Sequence, residues 1–436
     1  MRLPIWILAF ACALCTVPPV AALAETTNEE VAYELKEMKK ALQVQNQLIQ
    51  KQQAKIDELE RRLETGAGSK VVYPEPALPE PTGARAPAPA GKGLGLPGQI
   101  GALLPEIGLV GDIVATTSED AADTEGNDRI SAREVELVVG SNVDPYSRFD
   151  ASFAFSDFEE TSLEEAYLTR WGLPWDLKAR FGRFFPRVGK AASIHRDSLS
   201  TVDEPLVIRR YFGAEGFARS GADIGGTFQG PLSWVFEPSV GILEGGMGEG
   251  GTMFGTTRRR PTAYGHWKNY RDLSDSSGVE LGFTGLIGSS DADPEFEVKT
   301  LGVDVTYLNA FTPTTKMKLQ SELFVQQRDE SFAIDPDTGE TRQFDRHPWG
   351  AYALAEYRFA PQWAVGARAD HVRLVDSAQS RHYDQGVSAF LTFYQSEWAR
   401  WRLQFRHEER ARDETDDNAV FLQGTFAIGT HKHQIQ

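Results

Sequence analysis

The chain has 436 residues and a formal net charge of -17, and it contains no recognisable nucleic-acid-binding module. Its mean hydropathy is -0.36. After the N-terminus no stretch approaches the roughly 20 apolar residues of a membrane helix. That leaves a soluble acidic protein or a transmembrane β-barrel, whose strands hide their apolar face in alternation. Forty glycines and 11% aromatics suit many twisted strands.

At the N-terminus Met1-Arg2 precede the apolar "IWILAFACALC", and "ALAE" offers a small-x-small site. This predicts a secretory signal peptide over 1–24, cleaved after Ala24. Cys12 and Cys15 are the only cysteines and both fall inside it. No convincing lipobox precedes either as a lipoprotein acceptor, so the exported chain is expected to carry no disulfide and no thiolate metal site.

Over 25–65 the apolar positions Val31, Leu35, Met38, Leu42, Ile49, Ile56, Leu59 and Leu63 step by three and four, with Gln45 and Gln52 in the same register. The stripe is narrower than a core-facing helix shows, and it predicts a parallel, trimeric coiled coil. "VVYPEPALPEPTGARAPAPAGKGLGLPGQ" then reads as an extended linker within 66–104, since Pro, Ala and Gly at this density bury no core.

From about residue 105 to 436 the texture is period two. Phe149, Ala151, Phe153 and Phe155 oppose Arg148, Asp150, Ser152 and Ala154. Leu301, Val303, Val305 and Tyr307 form a second apolar face, and Trp349, Ala351, Ala353, Ala355, Tyr357 and Phe359 a third. Val387, Ala389, Leu391 and Phe393 form a fourth. In "WARWRLQFRHEER" Trp401, Leu403 and Phe405 oppose Arg400, Arg402, Gln404 and Arg406. About 16 such strands fit, and no further helix is expected. Tight turns such as "NVDPYS", "WGLPWD" and "RFAPQW" alternate with long polar connections such as "RDESFAIDPDTGETRQFDRHP". Two unequal rims define an up-and-down all-β transmembrane β-barrel, with short periplasmic turns and long external loops. A soluble sandwich has no reason for that asymmetry.

One connection is out of scale. Five strands, about Glu106 to Thr116, Ile130 to Val139, Tyr146 to Ser156, Ser162 to Trp171 and Trp175 to Phe185, precede "RVGKAASIHRDSLSTVDEPLVIRRYFGAEGFARS". The segment is too apolar for a disordered tail, with Leu199, Val202, Leu206, Ile208, Tyr211 and Phe212. It carries both signs of charge: His195, Arg196, Asp197, Asp203, Glu204, Arg209 and Arg210.

The order of signal peptide, coiled coil, Pro-rich linker and barrel resembles the phosphate-selective porin O and P type of bacterial outer-membrane porin. "LKARFGRFFPRVG" is similar to that family's segment before its infolded third loop. The resemblance implies a loop of about Arg187 to Arg219 folded into the lumen, with those seven charged residues in a pore constriction. That family's lysine-rich mouth loops and dense arginine ladder are only partly present, and "FAIGTHKHQIQ" lacks a terminal phenylalanine. "DSLSTVDEPLVIRRYFG" and "GILEGGMGEGGTMFGTTRRRP" are similar, more vaguely, to segments of bacterial outer-membrane receptors described as zinc-regulated and TonB-dependent. That likeness implies metal-linked uptake as an alternative.

For a water-filled lumen, inward charge sets ion preference. The inward candidates are Arg148, Lys178, Arg180, Arg400, Arg402 and Arg406; three arginines on one strand face call for an acidic wall or for passing anions. The acidic surplus of "SEDAADTEGND", "DADPEFE" and "RDETDD" falls in the external loops. Of the histidines only His431 and His433 share a strand face, with no third ligand, so no metal site and no cofactor is expected. No nucleophile elbow, HExxH or phosphate loop occurs, which points away from an enzyme. The expected function is passive diffusion of small ions or solutes, with anions preferred. The expected partners are outer-membrane lipid, lipopolysaccharide and two further copies of the chain. A structural alternative has the coiled coil holding the barrel to peptidoglycan.

Overall fold

The computed structural model describes residues 105–429 apart from 120–127, 158–160, 215, 248–250, 256–257, 291–295, 336–339, 376–382 and 411–414. The expected signal peptide, coiled coil and linker lie outside the described residues, as do His431 and His433.

Five strands come first: β1 (Glu106–Ser118), β2 (Arg129–Asp144), β3 (Ser147–Phe155), β4 (Ser162–Leu173) and β5 (Leu177–Phe184). The long segment follows, and within it a helix, α1 (Leu206–Tyr211). Then come β6 (Arg219–Gly225), β7 (Phe228–Gln229), β8 (Val235–Leu243), β9 (Thr262–Ser274), β10 (Ser277–Ser289), β11 (Glu297–Ala310) and β12 (Lys316–Asp335). The remainder are β13 (Glu340–Arg346), β14 (Trp349–Ala360), β15 (Trp363–Arg373), β16 (Tyr383–Ser396), β17 (Ala399–Arg410) and β18 (Thr415–Gly429).

All pairings are antiparallel. β6 and β7 share the neighbour β8, and β13 and β14 share β12, so the segments make a 16-strand barrel. β1 pairs with both β2 and β18, which closes the sheet into a barrel. Connections at one rim, such as 145–146, 275–276, 361–362 and 397–398, are two residues long. Those at the other rim are longer, and the longest joins β5 to β6.

The alternation is inverted relative to a soluble protein. On β17 Trp401, Leu403 and Phe405 are exposed while Arg400, Arg402, Gln404 and Arg406 are buried. On β11 Leu301 and Val303 are exposed while Asp304 and Thr306 are buried. An apolar exterior around a polar interior is stable only where hydrocarbon surrounds it. Aromatic pairs mark the two edges of this belt. Trp363 with Phe393 and Trp401 with Phe426 lie near the short-turn rim, with centroids 4.7 and 5.3 Å apart. His371, stacked between Trp349 and Tyr383, lies toward the other. On a strand rising ~3.4 Å per residue and tilted by ~40°, Trp363 and His371 stand about 20 Å apart in height, which is the scale of an outer-membrane belt.

The long segment folds into the interior. Val188, Leu199, Val202, Leu206, Val207, Ile208, Tyr211 and Phe212 are all buried inside the barrel. α1 lies against β14, β15 and β16, and its side chains share an apolar cluster with Tyr352, Leu354, Val372 and Phe390. The approach is close enough that a Cβ on Gly350 would stand 2.6 Å from Val207. The period-two reading predicted no helix here. Six residues make under two turns, too few to display a 3.6 period.

Candidate functional site: the lumen and its infolded loop

The β5–β6 loop enters the lumen at Gly189, where φ is +58°. A Cβ there would lie 2.2 Å from Glu322 and 2.8 Å from Phe324, so only glycine passes this point. The amides of Lys190 and Ala191 both donate to the Glu322 carboxylate at 2.7 Å, and the Gly189 amide to Thr284 at 3.0 Å. The Lys190 ammonium meets Glu280. The turn of the loop is thereby hung on β10 and β12.

Across the lumen the loop is gripped by arginines. Arg368 of β15 donates to the carbonyls of Asp203 and Glu204, to the Thr201 hydroxyl and to Asp203 Oδ1. Arg406 Nη1 lies 3.0 Å from Asp203 Oδ2, and Gln404 donates to Asp203 Oδ1 at 2.6 Å. Burial alone would raise the Asp203 carboxyl, but Arg368, Arg406 and Arg209 outweigh it and hold it well below the usual carboxylate range. Gln404 also accepts from the Val202 amide, and Asp370 from the Leu206 amide that opens α1. Thus one side chain, Asp203, is the node that joins the loop to β15 and β17.

The other expected constriction residues are placed around this node. Arg209 reaches Glu408 at 2.6 Å and Arg210 reaches Asp384 at 2.6 Å, both at the long-loop end. Arg196 pairs within the loop to Glu204 at 3.0 Å. Asp197 accepts from Ser198, and its carbonyl accepts from Arg400. His195 Nε2 faces Glu165 at 3.4 Å and its Nδ1 faces Glu164 at 3.3 Å. Burial disfavours charge on His195, but these carboxylates prevail and hold its pKa well above the usual value.

The six expected lining residues all project from the inner face. Arg148 bridges Glu106 and Asp150 at 2.7 and 2.9 Å, and Arg180 is held by Asp223 at 2.6 Å over the Phe184 ring. Lys178 stands in the field of Arg187 and Glu237 near the short-turn rim. Arg400, Arg402 and Arg406 do not form a uniform cationic wall. Arg406 lies between Asp203 and Asp417, the latter at 2.8 Å, and Arg400 meets the loop backbone. Among the described residues Arg402, 1% exposed, donates to the neutral Thr392 and Gln423 and sits 5.8 Å from the Phe390 ring centroid.

Arg368, Glu322 and Gln404 were not among the expected site residues. Alternation alone places all three on inner faces, but nothing local marks them as the loop's anchors. A second infolded segment also escaped the pattern. Between β8 and β9, Met253 and Phe254 are buried beside Phe212, and the Met253 amide donates to the Tyr211 carbonyl at 2.9 Å. Arg328 donates to the Met253 carbonyl at 2.9 Å.

No family model matches the chain. Over 329 residues, 68% of each chain, it is 24% identical to an uncharacterized protein of Aquifex aeolicus (strain VF5). Among solved structures, the anion-selective porin from Comamonas acidovorans matches 74% of this chain and 99% of its own, at 11% identity and a TM-score of 0.51. The fold is that of a porin. OprB of Pseudomonas putida gives the same TM-score of 0.51 at 9% identity, over 74% of this chain and 94% of its own. At these identities the likeness carries the architecture, and the lining of the lumen is this chain's own.

Proposed function

We propose that the chain is an outer-membrane porin, a passive channel for small ions or solutes narrowed by the loop between β5 and β6. The observation that carries this reading is the inverted barrel with a charged loop stretched across its lumen and tied to opposite walls. The anion preference belongs to the same proposal, as does kinship with the phosphate-selective porin O and P type. Its support is Arg402, whose guanidinium has the neutral hydrogen-bond partners Thr392 and Gln423 in the strand wall among the described residues. The Comamonas porin is described as anion-selective. Lipopolysaccharide would face the long-loop rim, the chain would assemble as a trimer, and the N-terminal segment would stand in the periplasm.

Planar-bilayer recording tests it. The purified protein should give stable conductance steps, with a reversal potential under a KCl or potassium phosphate gradient that favours the anion. Arg402→Ala should move that potential toward cations without changing the step size. A second reading, a plugged barrel that ties the outer membrane to peptidoglycan, draws support from the apolar packing of α1 inside the lumen. A folded barrel that never conducts would overturn the channel and favour the anchor.

A further inference from the structure

Where the loop passes β2 and β4 it meets a side-chain cluster that a diffusion channel does not need. Two register slips create it. Between β1 and β2, Asp112 pairs with Glu134 and Ile113 with Ala132, which leaves Arg133 as an extra residue. Between β3 and β4, Ser152 pairs with Glu165 and Phe153 with Leu163, which leaves Glu164 extra. A bulge suspends the alternation of faces. The adjacent Glu164 and Glu165 therefore both turn inward, and both are buried. Glu134 and Glu136 of β2 are buried within the same electrostatic cluster, and the loop brings His195 and Asp197 to it.

The arrangement has the form of a ligand set. His195 Nδ1 lies 3.3 Å from Glu164 Oε2 and 3.6 Å from Glu136 Oε1. One donor atom each from Glu136, Glu164 and His195 falls within 4.8 Å of the others. Glu136 is 2% exposed, and its Oε2 has no hydrogen-bond partner among the described residues. The other ring nitrogen of His195, Nε2, faces Glu165 at 3.4 Å. That is the outer carboxylate contact which orients a metal-bound imidazole. Five carboxylates, Glu134, Glu136, Glu164, Glu165 and Asp197, crowd a space where Arg196 is already drawn to Glu204. Buried like charges at this density are relieved by protons or by a bound cation, and a metal ion here would displace the proton of the His195 imidazolium.

We propose that Glu136, Glu164 and His195 bind a divalent transition-metal cation, which clamps the infolded loop to β2 and β4. One imidazole with carboxylates is a donor set for first-row divalent ions, softer than the all-oxygen shell of calcium or magnesium. The site stands apart from the channel reading, because a plugged barrel would hold it equally well.

The test uses the full chain, purified in detergent, stripped with a chelator and loaded with Mn2+ or Zn2+. Metal analysis after gel filtration should find one ion per chain. Glu136→Gln, which keeps the shape and lightens the crowded charge, and His195→Ala should each weaken binding at least tenfold. Heat-modifiable gel mobility verifies that each variant is a closed barrel. The double variant His431→Ala, His433→Ala controls for the C-terminal histidines and should retain the ion. Binding of neither metal, or binding that survives both Glu136→Gln and His195→Ala, would overturn the proposal. Conductance does not enter the readout, so failure here is distinguishable from failure of the channel.

Discussion

At the scale of single residues, the lumen is governed by a few buried ionic nodes, and Asp203 is the one that ties the loop to β15 and β17. It faces Arg368, Arg406 and Gln404 at once. Removing one partner from such a cluster leaves the others buried without compensation, a loss of about 3–5 kcal/mol. Asp203→Asn should therefore release the loop, visible as faster tryptic cleavage at Arg209 or Arg210 in the folded barrel. Cleavage no faster than in the parent would show that Asp203 is not the anchor. The same node sets an acid limit. The folded carboxyl lies well below its unfolded value of about 3.9. Its contribution is thus complete above that value and is lost only as pH falls through the lower folded one. Protease resistance of the loop should persist at pH 4 and weaken only in stronger acid, where an acid-active protease such as pepsin reports it. Loosening between pH 7 and 5 would contradict this.

At the scale of elements, period-two counting carried far because each strand has only two sides. The outward face of β17, Trp401, Leu403 and Phe405, was readable directly, and so were the five strands before the loop. Leu403, 50% exposed, sits in the middle of that face. Leu403→Arg should cost the barrel about 2–4 kcal/mol in lipid if it lies near the midplane. Reversible urea unfolding in vesicles measures this, and a neutral result would place Leu403 outside the hydrocarbon. What counting missed were the exceptions to the period. The bulges at Arg133 and Glu164 shift a residue from one face to the other, and a sequence gives no sign of which residue a partner strand skips. α1 escaped for a different reason: tertiary packing against β14–β16, not its own propensity, sustains so short a helix.

At the scale of the whole molecule, pairing of β1 with β18 closes the sheet into a barrel. The heptads of 25–65 are the proposed register of a trimer. Deleting Glu29 to Glu64 should lower the temperature at which trimers dissociate on a gel while leaving the monomeric barrel intact. An unchanged trimer would remove the coiled coil from that role. The sequence by itself determined that the chain is a transmembrane barrel, which strand faces look outward, and which connection is too long and too apolar to lie idle. Those properties are local: they follow from alternation, turn length and composition within a few residues. The tertiary structure decided what the inward charges do. Arg406 meets an aspartate 203 positions away, and His195 meets Glu136, Glu164 and Glu165 on two other strands. Face alternation tells that a charge points inward, but only the closed barrel with its folded loop supplies the partner that turns a lining arginine into an anchor.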